Sequence, residues 1–345
     1  MDAVCHNKNY GGNLIMIAIA QKKKEALKNL FAKTAQSTHF DSSIVEKDFY
    51  VVLMLEVLFN HTKFGKHFVF KGGTSLSKAY GLINRFSEDI DLVIDYRLFD
   101  LTPEEIYQER SNNQQFKFIT RVNEQVQAWL ESTLIPDIEE TLKSLNLHGF
   151  EVVINKDTKL NIDIYYPKSY EQSAILPIIK LETSLFSEWL PCEKRSITSY
   201  VAQEESVLFK KPSCDILTVH PTRTFWDKVT ILHKEANRPN DKIAPRYARH
   251  YYDLYALSNS WVKDQALNNL LLRDNVIDLK EKFYYASYAN FEAIKHKQAN
   301  FQLNPLKLKH LEKDYQNMYA MFMNEPPTFK EMMHTIQNLQ ETLNH

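Results

Sequence analysis

Cysteine and glycine are both scarce in this chain. Its 345 residues include three cysteines and seven glycines, and its formal net charge is −1. Cys5, Cys192 and Cys214 are far apart and odd in number, and no CxxC or zinc-site spacing occurs, so neither a disulfide framework nor a zinc site is predicted. A reducing, cytoplasmic setting fits this cysteine usage best. The near-zero charge provides no global basic field, although 42 lysines and arginines leave room for a local basic surface.

Long apolar runs are also missing. The longest near the N-terminus, residues 14–20, is too short to span a bilayer, and its lysines follow it, unlike the layout of a signal peptide. We therefore expect no membrane association, and we interpret residues 1–25 as a loosely held lead-in. The composition, with 44% hydrophobic and 25% charged residues, is typical of a globular protein. The length predicts two domains.

A glycine pair gains interest in a sequence with so few glycines. Gly72 and Gly73 follow a short apolar stretch that predicts a strand, and Thr74 and Ser75 then begin a predicted helix. Such a turn lets a phosphate-bearing ligand approach backbone N–H groups, and the two hydroxyls would add contacts. A P-loop is excluded because the GxxxxGK[ST] spacing is absent. The alternative is a simple tight turn between strand and helix.

Two aspartates lie one residue apart in the next apolar run. Asp89 and Asp91 would project from the same side of a strand over 90–94, because alternate side chains of a strand share a face. Two like charges held so close repel each other, so a divalent cation between them would be stabilising. Carboxylate oxygens suit Mg²⁺ or Mn²⁺. Together with the glycine pair this predicts metal-dependent nucleotidyl transfer, whereas the alternative is two solvent-facing residues on an edge strand.

The remaining pattern predicts an α+β protein, with a small mixed sheet flanked by helices and a helical C-terminal region. Residues 102–147 are periodic and predict a helical insertion that Pro136 divides. Further strands are expected at 150–154, 161–166 and 178–185, with a short strand pair around 197–208. We place a first domain at 1–215, with its core at about 44–210, and a helical domain at 216–345.

The segments KGGTSLSK, at 71–78, and RFSEDIDL, at 85–92, together resemble the first motif of the AbiEii/AbiGii nucleotidyltransferase toxin family. These toxins act in abortive-infection and type IV toxin–antitoxin systems, are related to the mycobacterial MenT toxins and belong to the DNA-polymerase-β-like superfamily. A resemblance to the family's N-terminal helix precedes this motif at 46–51, and less specific resemblances follow it in the expected order at 179–183, 224–228 and 249–255. The resemblance spans about 44–257 and implies a nucleotidyltransferase fold for the first domain.

The superfamily's third metal-binding carboxylate lies on a neighbouring strand. Two residues are candidates for it, Asp163 and Glu182, and the order of the motifs favours Glu182. Lys180 would share a face with Glu182 and could approach a phosphate. For each of the three, the alternative is an ordinary surface residue.

The resemblance also implies roles for two residues of the helical region. Lys228 would contact the nucleotide triphosphate, and Asp253 would be an essential acidic residue that activates the acceptor hydroxyl as a general base. Apart from the resemblance, Arg246 and Arg249 could grip phosphate or RNA backbone. The alternatives are a snorkelling surface lysine, an i,i+4 ion pair between Arg249 and Asp253, and a solvated helix face.

The leading hypothesis is an enzyme that moves a nucleoside monophosphate from an NTP onto an acceptor and releases pyrophosphate. The resemblance implies RNA as the acceptor, with a tRNA 3′ end as the first candidate. By resemblance, it would be a growth-arresting toxin or phage-defence effector with a cognate antitoxin as partner. One alternative keeps the chemistry but has a protein or small molecule as acceptor. Another is a non-catalytic nucleotide-binding module, against which the intact carboxylate pair argues. Base preference and oligomeric state are not predicted.

Overall fold

The computed structural model describes residues 14–38, 40–170, 177–187, 189–209 and 212–345. Cys5 and the first thirteen residues of the expected lead-in lie outside this part of the chain. The described residues form a seven-stranded mixed sheet with many helices, and the C-terminal third is helical. The predicted α+β class is thereby confirmed.

The sheet places β2 in its interior. The strands are β1 Phe68–Lys71, β2 Ile90–Ile94, β3 Glu151–Ile154, β4 Asn161–Tyr165, β5 Ile178–Ser184, β6 Cys192–Thr198 and β7 Ser213–Val219. Their order is β3-β4-β5-β2-β1-β7-β6. Strand β2 runs antiparallel to β1 and parallel to β5, which makes Lys71 and Glu182 the register partners of Asp91 on its two sides. Strand β7 runs parallel to β1 at the other side.

Helices occupy most of the remaining chain. In chain order, α1–α8 are Leu14–Ala20, Lys24–Thr38, Ser42–Glu56, Gly72–Lys78, Pro103–Tyr107, Asn112–Trp129, Ile135–Ser144 and Tyr200–Glu204. Helices α9–α15 are Pro221–Asn237, Ala248–Ser258, Trp261–Leu267, Leu270–Phe283, Glu292–Lys295, Pro305–Asn317 and Phe329–Asn344. Pro136 lies in the first turn of α7, after a π-helical segment at Leu130–Leu134, and so divides the insertion as predicted. None of the described helices is both long and apolar enough to cross a membrane.

Two local predictions were wrong. Residues 14–20 form α1, and its Met16, Ile17 and Ile19 are buried in the core of the sheet region, so this part is not a loose lead-in. The expected strand pair around 197–208 is also not formed. Strand β6 ends at Thr198 and pairs with β7, while Tyr200–Glu204 is helical because Ser199 caps it by accepting from the backbone of Ala202.

The apolar side chains form two large cores. One joins the sheet with α2, α3, α6 and α7, and the other joins the C-terminal helices. Leu76 and Ile83, from the segment between β1 and β2, belong to the second core, so this segment packs against the helical region. The domain division at 215 stays a prediction, and β7 runs across that position to Val219.

Candidate active site

A cleft lies between the sheet and helices α9 and α10. It brings together most of the predicted site residues: Gly72, Gly73, Asp89, Asp91, Glu182, Lys228 and Arg249. A larger cavity lies against α12 and is lined by Tyr107, Phe116 and Tyr285, but none of the predicted site residues borders it. The smaller, charged cleft is therefore the candidate active site.

The register of the sheet sets the acidic side of the cleft. Asp91 is paired with Glu182 across the parallel strands β2 and β5, so both carboxylates point to the same face. Burial and the negative charge of Glu182 raise the pKa of Asp91 to about 7. Because two neighbouring carboxylates repel each other, a cation bound at this point of the cleft would be stabilising.

The structure separates the two candidates for the third carboxylate. Glu182 borders the cleft, whereas Asp163 is on β4, where its carboxylate accepts a hydrogen bond from Asn155 at 2.9 Å. Lys180 is the register partner of Asp163 and is exposed. Within the described residues, neither Asp163 nor Lys180 lines the cleft. The predicted approach of Lys180 to a phosphate is therefore not visible here.

The glycine turn fits closely against the acidic strand. Gly72 has a φ of +80°, and a Cβ at this position would overlap the carboxylate of Asp91. Thr74 and Ser75 are fully buried. Their hydroxyls donate to the backbone oxygens of Asp89, at 2.5 Å, and of Gly72, at 2.8 Å. The contact of these hydroxyls with phosphate stays a prediction that this geometry does not favour, because Thr74 holds the turn to the residue before β2 and Ser75 bonds within the turn.

Two ion pairs connect α10 and the turn before it to the acidic segment. Arg249 donates to Asp89 at 3.3 Å, instead of forming the i,i+4 pair with Asp253. One residue before Asp89, Glu88 accepts from Lys47 of α3 at 2.6 Å and from Arg246 at 2.5 Å. The segment before β2 is thus held by cations from α3 and from the turn before α10.

Asp253 is completely buried among cations. Its oxygens accept from Arg85 at 2.8 and 2.9 Å and from Lys228 at 2.7 Å. Burial opposes the ionisation of Asp253, but Arg85 and Lys228 outweigh it and lower its pKa well below the ordinary value. A carboxylate with so little affinity for a proton, and with both oxygens engaged, is a poor general base. The geometry does not support the predicted role of Asp253.

The model of the nucleotidyl transferase AbiEii toxin family, of type IV toxin–antitoxin systems, matches residues 54–342. The chain belongs to this family. It is therefore a nucleotidyltransferase toxin of a type IV toxin–antitoxin system, a class that uses an NTP and has an antitoxin partner. The matched range contains every predicted site residue.

A comparison of this AbiEii family member with solved structures matched MenT4, a nucleotidyltransferase toxin from Mycobacterium tuberculosis H37Rv. The two share 14% sequence identity over 91% of this chain and 99% of MenT4, with a TM-score of 0.46. A comparison with curated protein sequences found no match.

AbiEii-type nucleotidyltransferases typically use a divalent metal, and the cleft residues fit one. Among the described residues, no three His, Cys, Asp or Glu side chains form a ready metal-binding group. Mg²⁺ nevertheless needs only one or two protein carboxylates and takes its other ligands from phosphates and water. Asp91 and Glu182 supply such a pair of oxygen donors, and their mutual repulsion is relieved by a cation. Oxygen donors such as these favour a hard cation such as Mg²⁺.

Sequence reasoning missed several charged residues of the cleft. Lys71 and Arg85 flank the glycine turn, and Lys280 of α12 forms an ion pair with Asp227 at 2.8 Å. Both Lys71 and Arg85 lie in the first motif, where their charge next to an apolar strand was an available signal. Lys280 carried no signal, because α12 reaches the cleft only through tertiary packing against α9.

Proposed function

We propose that this toxin transfers a nucleoside monophosphate from an NTP to an RNA acceptor, with release of pyrophosphate and with Mg²⁺ or Mn²⁺ as cofactor. The proposal rests on one observation. Asp91 and Glu182 are paired across neighbouring strands, and they line the same cleft as the glycine turn and Lys228. Oxygen donors for a hard cation, a close backbone approach and a cation for phosphate oxygens are the parts that phosphoryl transfer requires.

Each part of the cleft has a role in this proposal. Asp89, Asp91 and Glu182 would hold the metal, which when bound neutralises negative charge on the phosphates. Gly72 and Gly73 line the cleft, so the backbone of the turn would face the triphosphate. Lys228 and Arg249 would contact phosphate oxygens from the helical side, because both reach the cleft from α9 and α10.

The acceptor is proposed from membership in the family. We favour RNA, with a tRNA 3′ end as the first candidate, and a cognate antitoxin as the partner that restrains the enzyme. Arg246, which is partly exposed beside the cleft, offers a surface cation for an RNA backbone. A protein or small-molecule acceptor would use the same chemistry, so only a labelling experiment separates these possibilities.

The test uses the purified protein with Mg²⁺, each α-labelled NTP in turn, total RNA and total protein. We expect label in an RNA band and none with the Asp91→Asn variant. Label in protein or in a small molecule would overturn the RNA acceptor but keep the enzyme. If no NTP yields a labelled product, while the protein remains folded, the catalytic proposal is wrong.

A further inference from the structure

We propose that Arg85 binds the triphosphate at the glycine turn and that Asp253 is the residue that positions both Arg85 and Lys228 for this contact. The inference rests on the proposed function, since it identifies further groups of the same site. It also gives Asp253 a role that agrees with its burial.

Arg85 lies directly over the glycine turn. A Cβ on Gly73 would lie 2.7 Å from Arg85 Nη2 and 2.9 Å from Ser87 Oγ, so the guanidinium occupies the space beside the second glycine. The side chain is nearly fully buried, yet it borders the cleft. A phosphate bound at the turn would therefore lie next to this guanidinium.

The guanidinium retains donors for a ligand. Nε and Nη2 bind the two oxygens of Asp253, and Nη1 donates to the backbone oxygen of Phe86 at 3.2 Å. Within the described part of the chain, these bonds use three of its five N–H groups and leave one on each terminal nitrogen. Arginine stays charged at any physiological pH, and its planar fork matches the geometry of phosphate oxygens.

Asp253 fixes two cations with one carboxylate. Arg85 and Lys228 both donate to it, so the trio taken by itself has a net positive charge. His250 lies 3.0 Å from Lys228, but burial and the charge of Lys228 lower the pKa of this imidazole far below its usual value, so it adds no charge. The carboxylates of Asp91 and Glu182 in the same cleft offset this charge, but once a metal ion binds them the trio requires a ligand of opposite charge. A triphosphate in the cleft has that charge.

A positioning role and a general-base role differ in what they change. Loss of a base lowers kcat and leaves nucleotide affinity intact. Loss of the positioning carboxylate frees two cations from their bound geometry, so it weakens the binding of the triphosphate. A purely structural role would lower stability and affect every ligand of the site alike.

The test measures the affinity of the full-length protein for an α,β-methylene NTP analogue and for the corresponding NMP, in the presence of Mg²⁺, by calorimetry. Arg85→Lys is expected to lower the affinity for the analogue by about tenfold or more and to leave the affinity for NMP unchanged. Lysine replaces the planar, bidentate guanidinium by a single point charge. Arg97→Lys is the matched control. Arg97 also forms a bidentate pair, with Asp95, but outside the cleft, so both affinities should stay at the wild-type values.

Two more variants make the result decisive. Gly73→Ala inserts a methyl group beside Arg85 Nη2 without changing any charge. It should therefore also lower the affinity for the analogue and leave that for NMP unchanged. It decides the case if Arg85→Lys does not fold. Asp253→Asn should raise KM for the NTP more than it lowers kcat.

Three outcomes would count against the inference or its basis. Unchanged analogue affinity in Arg85→Lys and Gly73→Ala overturns the role of Arg85. A loss of kcat at unchanged affinity in Asp253→Asn overturns positioning and restores the general base. If the wild type binds the analogue as expected but labels no acceptor, the proposed function fails while this inference stands.

Discussion

The carboxylate of Asp91 occupies the space that a side chain on residue 72 would need. The two residues come from adjacent segments of the chain, and the φ of +80° at Gly72 brings the turn against strand β2. The turn and the acidic strand are therefore complementary in shape. Neither can change without displacing the other.

Gly72→Ala is expected to disrupt both stability and transfer. A methyl group at this position meets a left-handed backbone, which costs about 1–2 kcal/mol, and also the carboxylate of Asp91. Gly81→Ala is a matched control, because Gly81 has a φ of +62° but nothing within 4 Å of its Cβ position. We expect urea unfolding to show the strain in both variants, and label transfer to fall by about a hundredfold or more only in Gly72→Ala. Equal activity of the two variants would contradict this.

The third carboxylate is tested by two substitutions of the same kind. If Glu182 holds the metal as proposed, Glu182→Gln should lower transfer by about a thousandfold, since the bound cation would stabilise the transferred phosphate by several kcal/mol. Asp163→Asn should leave transfer close to the wild-type rate, because Asp163 lies outside the cleft. Initial rates with an α-labelled NTP provide the measurement. The reverse ranking would reassign the third carboxylate to Asp163.

A buried ion pair supports the glycine turn from behind. Lys78, at the end of α4, contacts Asp48 of α3 and lies over the ring of Tyr200 at 3.4 Å from its centroid. Lys78→Met leaves the carboxylate of Asp48 buried without its partner and should lower the free energy of unfolding by about 3–5 kcal/mol. The double variant Asp48→Asn with Lys78→Met leaves no buried unpaired carboxylate. Its free energy of unfolding, measured with urea, should therefore fall by less than that of Lys78→Met alone. A larger loss in the double variant would exclude this explanation.

The ion pair between Asp227 and Lys280 predicts a pH dependence of stability. Burial opposes the ionisation of Asp227, but Lys280 and Arg223 outweigh it and lower the pKa of Asp227 to about 2. This pKa lies below that of an aspartate in the unfolded chain. The stabilisation that ionised Asp227 contributes to the folded state is therefore complete above a pH of about 4 and is lost as the pH falls through about 2. The difference in unfolding free energy between the wild type and Asp227→Asn should therefore shrink between pH 5 and pH 3. A difference that stays constant over this range would contradict the assignment.

The sequence was informative where function depends on local pattern. The alternation of β2 predicted that Asp89 and Asp91 share a face, and the scarcity of glycine made Gly72 conspicuous. The register between β2 and β5, which places Glu182 rather than Asp163 beside Asp91, depends on strands far apart in the chain, so the sequence left both open.

Where the geometry departs from the sequence-based expectations, the cause is tertiary packing. The positions of Thr74 and Ser75 in the sequence favoured phosphate contact, but their burial is decided by packing against other segments. Asp253 resembled a catalytic acid because its motif does not reveal that Arg85 lies against it. Helix α1 was interpreted as a lead-in because a short apolar run carries no information about the core that receives it.

Glu88 is bound from α3 by Lys47 and from the turn before α10 by Arg246. The acidic segment is therefore bound both to α3 and to the helical region. A fragment that ends after β7 would keep all three carboxylates, but it would lose Lys228, Arg249 and one of the two cations on Glu88. We therefore expect a fragment without the helical region to lack transfer activity, although it would keep every strand of the sheet.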